Sequence, residues 1–258
     1  MKDIKKMIAE GEVVVGTFGF LPAPASVEII GYAGFDFVII DVEHGACGPF
    51  GTELENMIRA AYAADITSLI KVTENDSGMI LKALDFGAKG VLVPHVLSKE
   101  DAIHAVQCAK YPLDGHRSSA PIVRAAKYGA LDWATYWKRA NEETMVWPII
   151  EDKRGIGNIE EIVSVRGIDC IAFGPFDLSM SLGKKGIPTD PAVEEKLDKV
   201  LDICNQKHIP VQILAMNVET AKKVVEKGVK IVAISADTML LYQACRDIVE
   251  RVKKEIKT

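Results

Sequence analysis

The sequence predicts a single-domain (β/α)8 barrel, the TIM-barrel architecture, and three observations predict it. Short β-branched runs alternate with longer helical stretches eight times from end to end. Most of the short runs are continuously apolar, as in Phe37-Val38-Ile39-Ile40, Val91-Leu92-Val93 and Ile231-Val232-Ala233-Ile234, which suits strands buried on both faces of a parallel sheet. No shift in composition divides the 258 residues, and an α/β barrel of this length is an ordinary single domain.

Strands are expected at 13–18, 36–41, 68–72, 90–94, 145–151, 169–174, 210–214 and 230–235. Helices with apolar residues at three- and four-residue spacing are expected at 25–32, 53–64, 78–86, 99–109, 156–165, 192–207, 219–226 and 239–254. Gly34, Gly87, Gly167 and Gly228 each stand between a helix and the next strand, where a left-handed residue closes the helix. An open doubly wound sheet would carry a glycine-rich loop after its first strand. Here Gly16-Thr17-Phe18-Gly19-Phe20-Leu21 lacks the third glycine, and no P-loop signature occurs. Residues 112–137 are a long irregular insertion between the fourth and fifth strands, a length that usually serves function or an interface. Its Trp133 and Trp137 read as a helix packing surface or a subunit contact.

The charge balance, 31 Lys and Arg against 36 Asp and Glu, offers no basic excess for nucleic acid. No apolar run approaches the roughly 18 residues of a membrane span. Met1-Lys2-Asp3-Ile4-Lys5-Lys6 has no apolar leader region, so the cytoplasm is the expected compartment. Five scattered cysteines with no close pair suit buried, reduced thiols.

In such a barrel chemistry gathers at the C-terminal ends of the strands. Strand two ends in Asp41-Val42-Glu43-His44, strand three in Lys71, strand four in Pro94-His95, strand five in Glu151 and strand six in Gly174-Pro175-Phe176-Asp177. Glu151 and Asp177 stand one β-α unit apart and can converge as two hard oxygen ligands for Mg²⁺ or Mn²⁺, or else cap helices and pair with Arg154. His44 has the position of a general base or of a loop histidine bonded to backbone, and His95 follows a proline in what reads as a rigid turn. Lys71 has three readings: a point charge for a substrate carboxylate, a Schiff-base nucleophile if burial lowers its pKa, or an ion-pair partner of Glu74 or Glu43.

Asp36-Phe37-Val38-Ile39-Ile40-Asp41-Val42-Glu43-His44, Leu84-Asp85-Phe86-Gly87-Ala88 and Gly174-Pro175-Phe176-Asp177-Leu178-Ser179-Met180-Ser181-Leu182-Gly183 together resemble the HpcH/HpaI aldolases, along nearly the whole chain. The resemblance implies retro-aldol cleavage of 4-hydroxy-2-oxo acids to pyruvate and an aldehyde. It implies Glu151 and Asp177 as ligands of a divalent metal, Mg²⁺ or Mn²⁺ before Co²⁺ or Zn²⁺. It implies His44 as catalytic histidine, Asp41 and Asp85 as its acidic support, and Gly174, Pro175 and Phe176 as a cradle for the pyruvate carboxylate. A homo-oligomer, trimer or hexamer, with a swapped C-terminal helix is implied as well.

Three positions depart from that pattern. The family's strand-three arginine is Lys71, which keeps the charge without the bidentate fork. Its glutamine two residues before the metal glutamate is Ile149, and its Gly-x-Arg-Gly loop reads Gly115-His116-Arg117-Ser118-Ser119. A Lys71 Schiff-base aldolase and a binding or assembly protein that no longer catalyses are the competing readings.

Overall fold

The computed structural model describes residues 2–256. Eight parallel strands close into a barrel in sequence order: β1 Val14–Gly19, β2 Phe37–Asp41, β3 Thr67–Lys71, β4 Gly90–Val93, β5 Met145–Ile150, β6 Ile171–Phe173, β7 Val211–Ala215 and β8 Ile231–Ala236. Their continuous apolar character follows from double burial. One set of alternate residues, including Phe37, Ile39, Leu69, Leu92, Trp147 and Ile231, fills the barrel interior. The other set, including Val38, Ile40, Ile70, Val91, Val93 and Val232, packs outward against the helices.

The helices are α1 Ile4–Ala9, α2 Pro24–Tyr32, α3 Thr52–Ala63, α4 Ser77–Asp85, α5 Lys99–Ala109, α6 Trp133–Glu143, α7 Lys153–Gly157, α8 Ile159–Ile162, α9 Pro175–Ser181, α10 Pro191–Gln206, α11 Val218–Glu226 and α12 Asp237–Ile256. The helix expected at 156–165 is two short ones, α7 and α8, meeting at Asn158. The insertion builds a small core of its own. Tyr111 packs edge-on against Trp133 at 5.3 Å and Tyr136 at 6.4 Å between ring centroids, so Trp133 serves packing within the chain.

Closure joins the first strand to the last, with Val14 beside Ile231 and Gly16 beside Ala233. A Cβ on Gly16 would run into the Phe37 ring, so only glycine admits that ring to the interior. Asp237, the first residue of α12, fastens the seam: its carboxylate accepts from the Phe20 and Leu21 amides at 2.9 and 3.2 Å and from Ser26 Oγ at 2.7 Å. Beyond that anchor α12 leaves Leu241, Tyr242, Ile248, Val249, Val252 and Ile256 exposed. Among the described residues no helix is long and apolar enough to cross a membrane.

Candidate active site

The strand ends open on a cavity of about 490 Å³ whose walls include Asp41, His44, Lys71, Glu151, Gly174, Pro175, Phe176 and Asp177. Asp41 and Lys71 end β2 and β3, His44, Glu151 and Gly174 follow β2, β5 and β6, and Pro175, Phe176 and Asp177 make the first turn of α9. Phe18, Leu92, Ile149, Leu214, Met216 and Met239 make the rest largely apolar.

Asp41 is a scaffold for the loop after β2. Its Oδ1 accepts from the backbone amides of Glu43 at 2.9 Å and His44 at 2.8 Å, which fixes where the His44 side chain leaves the chain. Lys71 is 7% exposed, with Nζ 2.6 Å from Glu43 Oε2 and 3.5 Å from Asp41 Oδ2. Burial alone would lower its pKa, but the charges of Asp41, Glu43 and Glu151 outweigh burial and raise it. The condition for a Schiff-base nucleophile, a lysine made neutral by its surroundings, is therefore not met. Of the ion-pair partners considered for Lys71, the structure selects Glu43.

Glu151 is 5% exposed and its Oε1 accepts the His95 amide at 2.8 Å. Burial pushes its carboxyl above the ordinary range and the Asp177 charge adds to this, while the His95 amide and the Lys71 charge pull it down. The carboxylate lies flat against the start of α9, where a Cβ on Gly174 would stand 2.6 Å from Glu151 Cβ and 3.0 Å from Oε2. Glycine at 174 is what lets the Glu151 side chain pack against the start of α9. The alternative for the pair, capping and an Arg154 partner, falls instead to Asp152, which caps α7 through the Arg154 amide and takes the guanidinium at 3.5 Å.

Two strand-end residues to which the sequence assigns no catalytic role are central to the contacts here. Glu43 is a hub, with Lys71 at 2.6 Å and ring nitrogens of His44 at 3.5 Å and His95 at 3.4 Å. His95 also places Nδ1 3.2 Å from Glu151 Oε1, and its backbone takes φ +56°, a left-handed conformation that a non-glycine residue adopts only under local compulsion. Both sit at strand ends, and Glu43 has a second signal as a possible ion-pair partner of Lys71.

Asp85 stands elsewhere. It ends α4, and its carboxylate receives Arg117 Nη2 at 2.8 Å, with the guanidinium stacked 4.5 Å from the centre of the Tyr111 ring. Within one chain the structure pairs Asp85 with Arg117 beneath the insertion and does not bring it to His44. The physical reason is direction: helices run back down the outside of the barrel, so the last residue of α4 lies away from the strand ends. At Ile149 the register sets Ala172 of β6 and Gln212 of β7 alongside, so an amide stands two strands from the apolar position.

The profile of HpcH/HpaI aldolase/citrate lyase matches residues 15–244. The chain belongs to the HpcH/HpaI aldolase/citrate lyase family. It is 30% identical to the hydroxypyruvate/pyruvate aldolase of Paraburkholderia phytofirmans over 256 residues, 97% of each chain. Among solved structures it is similar to an HpcH/HpaI aldolase/citrate lyase family protein from Burkholderia cenocepacia, with a TM-score of 0.92, 30% identity, and 98% and 100% of the two chains covered. It is similar as well to the citrate synthase SbnG, with a TM-score of 0.90, 31% identity and 99% of each chain covered. These relatives are named as an aldolase, an aldolase/citrate lyase family protein and a citrate synthase, and their likeness along the whole chain supports an enzyme.

Proposed function

We propose that this HpcH/HpaI protein is a divalent-metal-dependent aldolase that cleaves a 4-hydroxy-2-oxo acid to pyruvate, or a related 2-oxo acid, and an aldehyde. The observation that carries the reading is the buried Glu151 carboxylate packed against Gly174, on a cavity wall it shares with Asp177, whose charge it feels. That donor set fits a hard cation. Two carboxylate oxygens with open space leave room for water and a chelating substrate. Among the described residues no third His, Cys, Asp or Glu completes a closed site. When bound, Mg²⁺ or Mn²⁺ would supply Lewis acidity toward the 2-oxo acid.

The chain's own groups do the rest. Lys71, kept as an ammonium, draws the substrate carboxylate or oxo group by charge. The amides that open α9, at Phe176 and Asp177, have no helical partner of their own and suit a carboxylate. His44, held by the Asp41 turn, takes the proton from the 4-hydroxyl; the C3–C4 bond then breaks to give an aldehyde and the enolate of pyruvate, which is protonated at C3. Apolar walls keep these charges at low dielectric, where they act most strongly.

The proposal extends to assembly: α12, with its apolar residues uncovered, fits exchange between copies in a trimer or hexamer. The test of the activity is pyruvate release from 4-hydroxy-2-oxo acids by metal-stripped protein, with and without Mn²⁺. Release that requires metal and disappears in Glu151→Ala is expected; release that persists in EDTA overturns the metal reading.

A further inference from the structure

Two buried polar groups in the cavity wall have no role in that chemistry. Gln212 on β7 is 3% exposed and Ser235 on β8 is 2% exposed, and both line the cavity. Neither Gln212 Nε2 nor Ser235 Oγ has a hydrogen-bond partner. A buried donor left without a partner is costly, and such groups are rare unless a ligand or water meets them. Ser235 also takes φ +55°, a strained backbone of the kind that collects at binding sites. The register sets Gln212 beside Ile231, four residues before Ser235, so the two lie at different depths of one wall. In the ring of eight strands β7 stands opposite β3, and Gln212 therefore faces the Lys71 side of the cavity.

We propose that Gln212 and Ser235 form a polar subsite that receives hydroxyl groups of the aldehyde-derived part of the substrate. The inference rests on the aldolase reading and names its substrate class: an uncharged, hydroxylated aldehyde. Charge is excluded by the company these residues keep. The cavity residues that β1, β7, β8 and the start of α12 contribute are Phe18, Gln212, Leu214, Ser235, Ala236, Thr238 and Met239, with no cation to meet a second carboxylate. A hydroxyl suits both points, since it accepts from the Gln212 amide and exchanges donor and acceptor roles with Ser235.

The test runs the reaction toward aldol formation with pyruvate and Mn²⁺, comparing glyceraldehyde with 2-methylbutanal, which has methyl groups in place of both hydroxyls. For the wild type kcat/KM is expected to favour glyceraldehyde by about tenfold or more, the scale of one or two buried polar groups gaining partners. Gln212→Met and Ser235→Ala should each lower that ratio several-fold. Succinic semialdehyde, with its charge, should be poorer than glyceraldehyde. A wild-type ratio near one needs no variant to overturn the subsite, as does a preference for the semialdehyde or a loss in the variants that is equal for both aldehydes. Aldol formed from none of the aldehydes overturns the activity itself.

Discussion

Replacing Lys71 by Met removes the one ammonium shared by three carboxylates while keeping most of the side chain's length. Lys71 is 7% exposed, 2.6 Å from Glu43 and 3.5 Å from Asp41, and its charge also reaches Glu151. Breaking a buried pair by deleting one partner costs about 3–5 kcal/mol. The lower end applies, because Asp41 keeps two backbone amides. For a chain of this size about 3 kcal/mol corresponds to a fall in Tm of roughly 6–12 °C. The loss should be measured by thermal unfolding at pH 7 and again near pH 4.5. Carboxylates stripped of their cation bind protons more readily, so the deficit against wild type should shrink on acidification. Lys71→Arg, which keeps the charge, should lose less. The wild type itself has the converse signature: a lysine whose folded pKa is raised stabilises fully below its ordinary value of 10.5 and loses that contribution as pH rises through the folded value. A Met variant within 1–2 °C of wild type at pH 7, or a deficit indifferent to pH, would refute the reasoning. The same charge argues that borohydride should trap no substrate on Lys71.

Gly174→Ala places a Cβ 2.6 Å from that of Glu151, and about 1–3 kcal/mol of stability should be lost together with Mn²⁺ affinity, read by denaturant melts and by metal titration. Asp85→Asn leaves the buried Arg117 guanidinium without its counter-charge, and Tm should fall by roughly 5–10 °C. Lys110, whose Nζ donates to the Asn141 and Thr144 carbonyls, is brought down to about 8 by burial. A base with a depressed folded pKa contributes stability that is present above 10.5 and lost as pH falls through about 8, so wild type should gain on Lys110→Met by about 3 kcal/mol between pH 7 and 10.5 in urea melts. A flat difference across that window would show that the ammonium is not penalised.

The barrel was legible because double burial writes an unmistakable pattern: Phe37-Val38-Ile39-Ile40 is apolar at every position since two cores claim alternate residues. Helices were legible where they were long. The seven residues of α9 span less than two complete turns of pattern, and the break at Asn158 depends on packing beyond local propensity. Strand-end position alone placed Glu151, Asp177, His44 and Lys71 at the mouth. Who pairs with whom depends on register and on side-chain reach, which no spacing reveals. The choice of Glu43 over Glu74 therefore emerged only from the folded chain, and so did the contact of His95 with Glu151. Asp85 shows the reverse case, a residue whose motif suggested the mouth and whose helix carried it away. Gln212 was hidden in Pro210-Val211-Gln212-Ile213-Leu214, where a lone amide in an apolar strand gives no sign of the direction in which it is orphaned.

The seam between β1 and β8 has a consequence for how the molecule is made. The first strand, residues 14–19, waits for a partner at residues 231–236, and the Asp237 carboxylate that clips the two loops together is synthesised only after that. A ribosome adding about 5–20 residues per second exposes the hydrogen-bonding edge of β1 for more than ten seconds. During that interval the cavity has no eighth wall, and Gln212 and Ser235 do not yet share a surface. Closure across so long a stretch of chain is entropically slow, so the nascent barrel must be shielded from its neighbours until its last tenth emerges.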